Sequence, residues 1–307
     1  MTGRVRCGAL AVWLISCGAA ATAAAQELEP KAYAASPVGG AFVVAGFARS
    51  TGAIVFDPTL LITNAEAKVN SGLLATGYTF GLFGKLALAT ASVPYSWGDI
   101  SGDVAEQART TSRSGLSDAR FKLSVNLVGN PAMRAREFVK APRTTIVGTS
   151  LTAVAPSGQY YDAKLINLGG NRWAFKPELG VAMPKGRWDV DAYLGVWLFT
   201  DNTDAYPGGN RRSQDPVVSL QGHVSYTFRP RLWLAFDATW YNGGSAQIEG
   251  KEPTRSMNNS RLGATFSVPV GQRQSLKLAY NSGVFVRTGT NFTSLSVGWQ
   301  WLWLTKK

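Results

Sequence analysis

Residues 188–200 read Trp-Asp-Val-Asp-Ala-Tyr-Leu-Gly-Val-Trp-Leu-Phe-Thr, and their alternation decides the fold. In an extended chain successive side chains point to opposite faces. Trp188, Val190, Ala192, Leu194, Val196 and Leu198 therefore share one face, and Asp189, Asp191, Tyr193, Gly195, Trp197 and Phe199 the other. The first face suits lipid; the second carries two carboxylates. The pattern recurs in Leu232, Leu234, Phe236, Ala238 and Trp240 against Trp233, Ala235, Asp237, Thr239 and Tyr241. It recurs again in Phe121, Leu123, Val125 and Leu127 against Arg120, Lys122, Ser124 and Asn126.

Extending this reading along the chain predicts twelve strands: Ala41 to Ser50, Ala65 to Thr79, Lys85 to Trp97, Asp118 to Val128, Thr144 to Ala155, Arg172 to Met183, Arg187 to Thr200, Pro216 to Phe228, Leu232 to Asn242, Asn259 to Val268, Ser275 to Phe285 and Phe292 to Trp303. A soluble sandwich would alternate too. Connection lengths separate the two, because outer-membrane barrels alternate short inner turns with long outer loops. Long connections at Thr51 to Asn64, Gly98 to Ser117, Pro156 to Asn171, Asp201 to Asp215 and Gly243 to Asn258 interleave with tight ones at Phe80 to Gly84, Pro184 to Gly186, Arg229 to Arg231 and Pro269 to Gln274. Two depart from the rule: a long inner link, Gly129 to Arg143, with room for a short helix, and a short outer one, Arg287 to Asn291. Trp97, Trp173, Trp188, Phe228, Trp240 and Trp301 fall near strand ends, where amphipathic rings sit at membrane interfaces. The expected fold is an all-β, transmembrane antiparallel barrel of about twelve strands, and the localisation the bacterial outer membrane. A mean hydropathy near zero fits, since alternation hides a lipid-facing surface without a long apolar run.

Ahead of the barrel, Arg4 and Arg6, the apolar stretch Ala9 to Ile15 and Ala23-Ala24-Ala25 have the order of a secretory signal peptide. Leu14-Ile15-Ser16-Cys17 offers a rival lipobox that would leave a lipidated Cys17. The division expected is 1–25 signal peptide, 26–40 periplasmic N-terminal segment and 41–307 barrel. Cleavage after Ala25 removes Cys7 and Cys17, leaving no thiol for disulfides, catalysis or metal binding. It also takes the formal charge from +12 to +10 by removing Arg4 and Arg6. An exported basic chain meets anionic lipid first. The partners expected are outer-membrane lipid and lipopolysaccharide, the barrel-assembly machinery and a small-molecule solute, not nucleic acid.

The inward face is expected to carry Glu66, Lys68, Arg120, Lys122, Lys176, Glu178, Asp189, Asp191, His223, Asp237, Arg261 and Lys277. Near balance of charge predicts that many of these pair across the interior. They form either a filled polar interior or, in part, a selectivity ring. Outer loops such as Tyr160-Tyr161-Asp162 and Asp201-Asn202-Thr203-Asp204 either stay solvated or fold inward to bind a ligand. Twelve strands lie between the filled eight-stranded barrel and the open sixteen-stranded porin, so a narrow path is expected. His223 lies on the polar face with Ser219, Gln221 and Ser225, pointing the wrong way for a phospholipase acting on lipid. Neither a catalytic residue nor a cofactor or metal is expected.

Five stretches resemble a known family: residues 115–129 (GLSDARFKLSVNLVG), 164–182 (KLINLGGNRWAFKPELGVA), 199–204 (FTDNTD), 212–244 (RSQDPVVSLQGHVSYTFRPRLWLAFDATWYNGG) and 259–283 (NSRLGATFSVPVGQRQSLKLAYNSG). They are similar to the outer-membrane transporter family associated with the meta-pathway of phenol degradation. The resemblance implies a barrel that helps small, aromatic or hydrophobic compounds enter the cell. With the lumen reading, this predicts passive diffusion through a narrow channel. The alternative is a structural or adhesive barrel with a closed lumen.

Overall fold

The computed structural model describes residues 29–56, 62–249 and 251–305. The expected signal peptide with its expected cleavage site, and both cysteines, fall outside the described residues. The wall is built from β1 (Gly40–Val55), β2 (Ile62–Leu82), β3 (Lys85–Val104), β4 (Gln107–Leu116), β5 (Arg120–Val128), β6 (Ile146–Val154), β7 (Ala174–Lys185), β8 (Trp188–Phe199), β11 (Val217–Arg229), β12 (Leu232–Gly243), β14 (Met257–Pro269), β15 (Gln274–Val286) and β16 (Gly289–Leu304). Strands β4 and β5 share one position, pairing with the outer and inner parts of β3 respectively. The wall thus has twelve antiparallel positions. It closes where β1 pairs with β16, from Gly40 opposite Leu304 to Val55 opposite Gly289. Closure leaves no long unpaired edge, the condition for a sheet to sit in hydrocarbon.

The alternation read from residues 188–200 holds in three dimensions. In β8, Asp189, Asp191, Tyr193 and Trp197 are buried while Val190, Leu194 and Leu198 are exposed. Leu151, Leu179, Leu220, Phe236, Leu262, Leu278 and Leu295 are exposed on the same outer surface around the wall. In a water-soluble sheet these residues would face a core; here they form the lipid-contacting girdle. Trp97, Trp173, Trp188, Phe228, Trp240 and Trp301 all lie exposed near its rims.

The inner end carries tight turns and a longer link whose one-turn helix, α1 (Ala135–Phe138), follows a segment bonded to the β2–β3 turn through Ala132 N–H and Gly84 O. At the outer end the strands outrun the membrane. About 9–11 residues suffice to cross it, yet β2 has 21 and β3 has 20. Gly98 to Ser117, expected as a loop, is therefore a protruding hairpin, turned at Ala105 and Glu106, both at positive φ. There the outer face meets water and the inner face the apolar cluster, so the alternation is reversed: Ile100 and Val104 turn inward, Asp99 and Ser101 outward. Short strands β9 (Asn202–Ala205), β10 (Asn210–Gln214) and β13 (Ala246–Ile248) form a separate three-stranded sheet from two further outer loops.

Candidate functional site

The interior has two unlike halves. Strands β6, β7, β8, β11, β12 and β14 fill theirs. Lys176 Nζ lies 2.8 Å from Glu178 Oε2, both side chains almost wholly buried. His223 Nδ1 sits 2.7 Å from Asp237 Oδ1, whose other oxygen accepts from Thr265 Oγ1 at 2.8 Å. Arg261 donates to Asn281 Oδ1 and to the Phe292 carbonyl, each at 2.6 Å. Charges removed from water persist only when paired and hydrogen-bonded in this way.

The chain's own N-terminal segment completes the filling. Residues 26–40, expected as a periplasmic segment, include Glu29, Lys31, Ala32 and Tyr33, which lie against the inner wall. Lys31 pairs with Asp189, which also binds Arg143 of the inner link. The Lys31 backbone N–H donates to Asp191 Oδ2 at 3.1 Å, and that of Ala32 to the Tyr193 hydroxyl at 3.1 Å. Tyr33 is 1% exposed. Its ring occupies the space above Gly148 and Gly180, which face each other across β6 and β7. A Cβ at either glycine would stand 2.3 Å or less from the Tyr33 ring. The ring meets Tyr193 edge-on at 5.2 Å, and its hydroxyl donates to Glu178 Oε1 at 3.1 Å beside Ser150 Oγ at 3.0 Å. Burial, with the Glu178 carboxylate adjacent, pushes the Tyr33 phenol up, so it remains a donor.

The other half is open. A cavity of about 690 Å³ lies between β1, β2, β3, β5, β15 and β16. Small inward side chains make the room: Gly46, Ala48 and Ser50 on β1, Ser71 on β2, Ser92 and Ser96 on β3, Ala279 on β15, Ser296 and Gly298 on β16. Phe42, Val44, Val69, Leu73, Ile100 and Phe292 make much of the lining apolar. Toward the outer mouth, Ile54, Ile62, Ala65, Ala67 and Phe292 form a buried apolar cluster.

The cavity has a lid of backbone. Between Val154 and Ala174 the chain folds inward, bringing Ile166, Asn167 and Leu168 to the cavity wall. Asp118 fastens it, accepting from Gly158 N at 2.9 Å and Gly170 N at 2.8 Å. Burial pushes the Asp118 carboxyl up, opposed by these two N–H groups. Arg113 Nε donates to the Ile166 carbonyl at 2.9 Å. Tyr160 and Asn202 tie this loop to the outer sheet through a 2.8 Å hydrogen bond.

Ten of the twelve expected inward residues lie inside. Lys176, Glu178, Asp189, Asp191, His223, Asp237 and Arg261 are buried in the filled half, and Arg120, Lys122 and Lys277 line the cavity. Glu66 and Lys68 do not. They are exposed on the outer face of β2, while Ala65 and Ala67 point inward. This part of β2 lies in the stretch that outruns the membrane, so outward charge meets water and the rule that polar means inward lapses. Tyr33, Glu29 and the loop at 166–168 were not singled out in the sequence. The signal available was glycine within strands, which marks close approach of another group.

A family model described as "Putative MetA-pathway of phenol degradation" matches residues 37–301. The chain belongs to this family. Within the phenol-degradation family's fold, an outer-membrane channel from Pseudomonas putida F1 is similar with a TM-score of 0.77 at 21% identity, covering 90% of this chain and 100% of that one. The transport unit of the autotransporter AIDA-I from Escherichia coli is similar at a TM-score of 0.50 and 8% identity, covering 92% of this chain and 94% of that one. Both show the same architecture, the outer-membrane β-barrel. Comparison with curated proteins gives no match.

Proposed function

We propose that the protein is an outer-membrane channel that admits small, largely apolar compounds, aromatic ones among them, by passive diffusion. One observation carries this reading: a cavity of about 690 Å³ with much apolar lining inside a closed barrel whose exterior is built for lipid. That volume is the size of a small-molecule site. A barrel serving only as a structural or adhesive element gains nothing from small side chains on one inner wall. The description of the similar Pseudomonas protein as a channel and the family's association with phenol degradation support the reading. His223 supports it as well, being buried against Asp237 away from the lipid face where a phospholipase would work.

The test is uptake of radiolabelled benzyl alcohol by cells lacking the protein, compared with cells in which it is restored. Restored cells are expected to take up the probe faster at low concentration. Equal rates, with the barrel present and folded in the outer membrane, would favour the closed structural barrel.

A further inference from the structure

Glu29 is held as a ligand would be held. Its carboxylate lies 2.8 Å from Lys122 Nζ on β5, and the charges of Lys176 on β7 and Lys277 on β15 also act on it. One ammonium thus contacts the carboxylate directly, and a second, that of Lys277, lines the same cavity. Strand register fixes where these lysine stems enter the lumen, so their like charges share one space and an anion there relieves the repulsion. Lys176 has Glu178 for this purpose at 2.8 Å. Lys122 reaches Glu178 only at 3.9 Å, so Glu29 at 2.8 Å is its nearer acid, and Lys277, 5.7 Å over the Trp233 ring, lines the same cavity with Arg120 and Glu29. Its side chain is 51% exposed, so water and solute reach it. Apolar wall from Phe42, Val44 and Val69 bounds the same space.

We propose that Lys122 and Lys277, with Arg120 beside them, form a carboxylate-binding station whose resting occupant is Glu29, and that small amphiphiles bearing one carboxylate and an apolar ring or chain bind by displacing it. The exchange conserves charge: one carboxylate leaves the lysines as another arrives, while the apolar part of the solute lies on the opposite wall. Tyr33, buried four residues on, keeps the segment anchored while the Glu29 side chain swings away. A neutral aromatic compound gains no charge pairing from the lysines. The inference rests on the channel reading and adds a solute class to it.

The experiment measures calorimetric binding of benzoate and of benzyl alcohol to the full-length protein, purified in detergent near neutral pH. If Glu29 fills the station in roughly nine molecules of ten, E29Q binds benzoate about tenfold more tightly, because a site's apparent affinity scales with its vacant fraction. Benzyl alcohol binding is expected to stay unchanged, E29D to restore the wild-type ratio, and K277Q to erase the gain when added to E29Q. No change for benzoate, or an equal gain for both probes, would overturn the station. Should E29Q fail to fold, K277Q alone decides: selective loss of benzoate supports the station, and equal loss of both probes overturns it. The channel reading is scored separately by cellular uptake of benzyl alcohol. Uptake without a benzoate effect sinks the station only, and a benzoate effect without uptake of either probe sinks the channel only.

Discussion

Strands β7, β8 and β11 and strands β16, β1 and β2 present the same apolar exterior and opposite interiors. On the first wall the inward positions hold Lys176, Glu178, Asp189, Asp191, Tyr193 and His223, large groups that meet one another and the N-terminal segment. On the second, Gly46, Ala48, Ser50, Ser71, Ser296 and Gly298, too small to reach across, stand among the apolar Phe42, Val44, Val69 and Leu73. A barrel of this circumference is therefore neither a plug nor a pore by its strand number alone. The volume of inward side chains decides, and it decides differently on each side. The filled side gives rigidity through paired charges; the open side gives the solute its space.

The largest expected effect comes from breaking the filled wall at Glu178, which pairs with Lys176 and receives the Tyr33 hydroxyl. Glu178→Ala removes the carboxylate from a buried ion pair, at a cost of about 3–5 kcal/mol. Urea unfolding of the barrel in lipid should show it, and a loss near zero would mean that Lys176 finds water or another partner. Next comes Gly180→Val, which places methyl groups where the Tyr33 ring lies. Overpacking of this kind costs about 1–3 kcal/mol. The strain is relieved by expelling the N-terminal segment, so residues near Lys31 become sensitive to protease and single-channel conductance rises. Retained protection would show that the ring shifts within the lumen instead.

On the open wall, Gly298→Phe sharpens the contrast in the other direction. A Cβ there meets only Val44 Cγ1, at 3.7 Å. Stability should change by less than about 1 kcal/mol, as for an uncrowded position, while benzyl alcohol uptake falls as the ring fills the cavity. Unchanged uptake would place the path elsewhere in the barrel. The smallest effect is that of pH on the docking of Glu29. Lys122 above all, with Lys176 and Lys277, holds the Glu29 carboxyl at about 2, below its ordinary 4.5, against the opposing effect of burial. Glu178 is the acid that shares these lysines. Because the docked value is depressed, the contribution of Glu29 is complete above about pH 4.5 and is lost as pH falls through about 2. Protease protection of the segment should not vary between neutral pH and pH 5, and a transition there would point to another group.

Much of this was legible in one dimension because a membrane imposes a simple rule on each strand. Every second residue must suit lipid, so Leu194, Leu220 and Phe236 announced their direction, and Asp191, His223 and Asp237 announced the opposite one. The rule fails where the membrane stops. Glu66 and Lys68 obey it in form, yet lie on a stretch of β2 with water on the outside, and in the hairpin of β3 and β4 the alternation is reversed for the same reason, Ile100 and Val104 turning inward. The occupant of the lumen was illegible for a different reason. Residues 29–36 have no repeat of their own, and the pocket for Tyr33 is made by Gly148 and Gly180, which become neighbours only through the pairing of β6 with β7. Glu29 likewise meets Lys122 across 93 positions of sequence.

The sequence by itself determined the closed antiparallel barrel, its inside and outside, and the direction of nearly every charged side chain within the wall, since these follow from a period of two against a two-phase environment. Only the tertiary structure decided which inward residues meet, which half of the lumen is full, and that the N-terminal segment occupies it. Those outcomes depend on strand register and on the volumes of side chains facing one another across the barrel, quantities that no local pattern encodes.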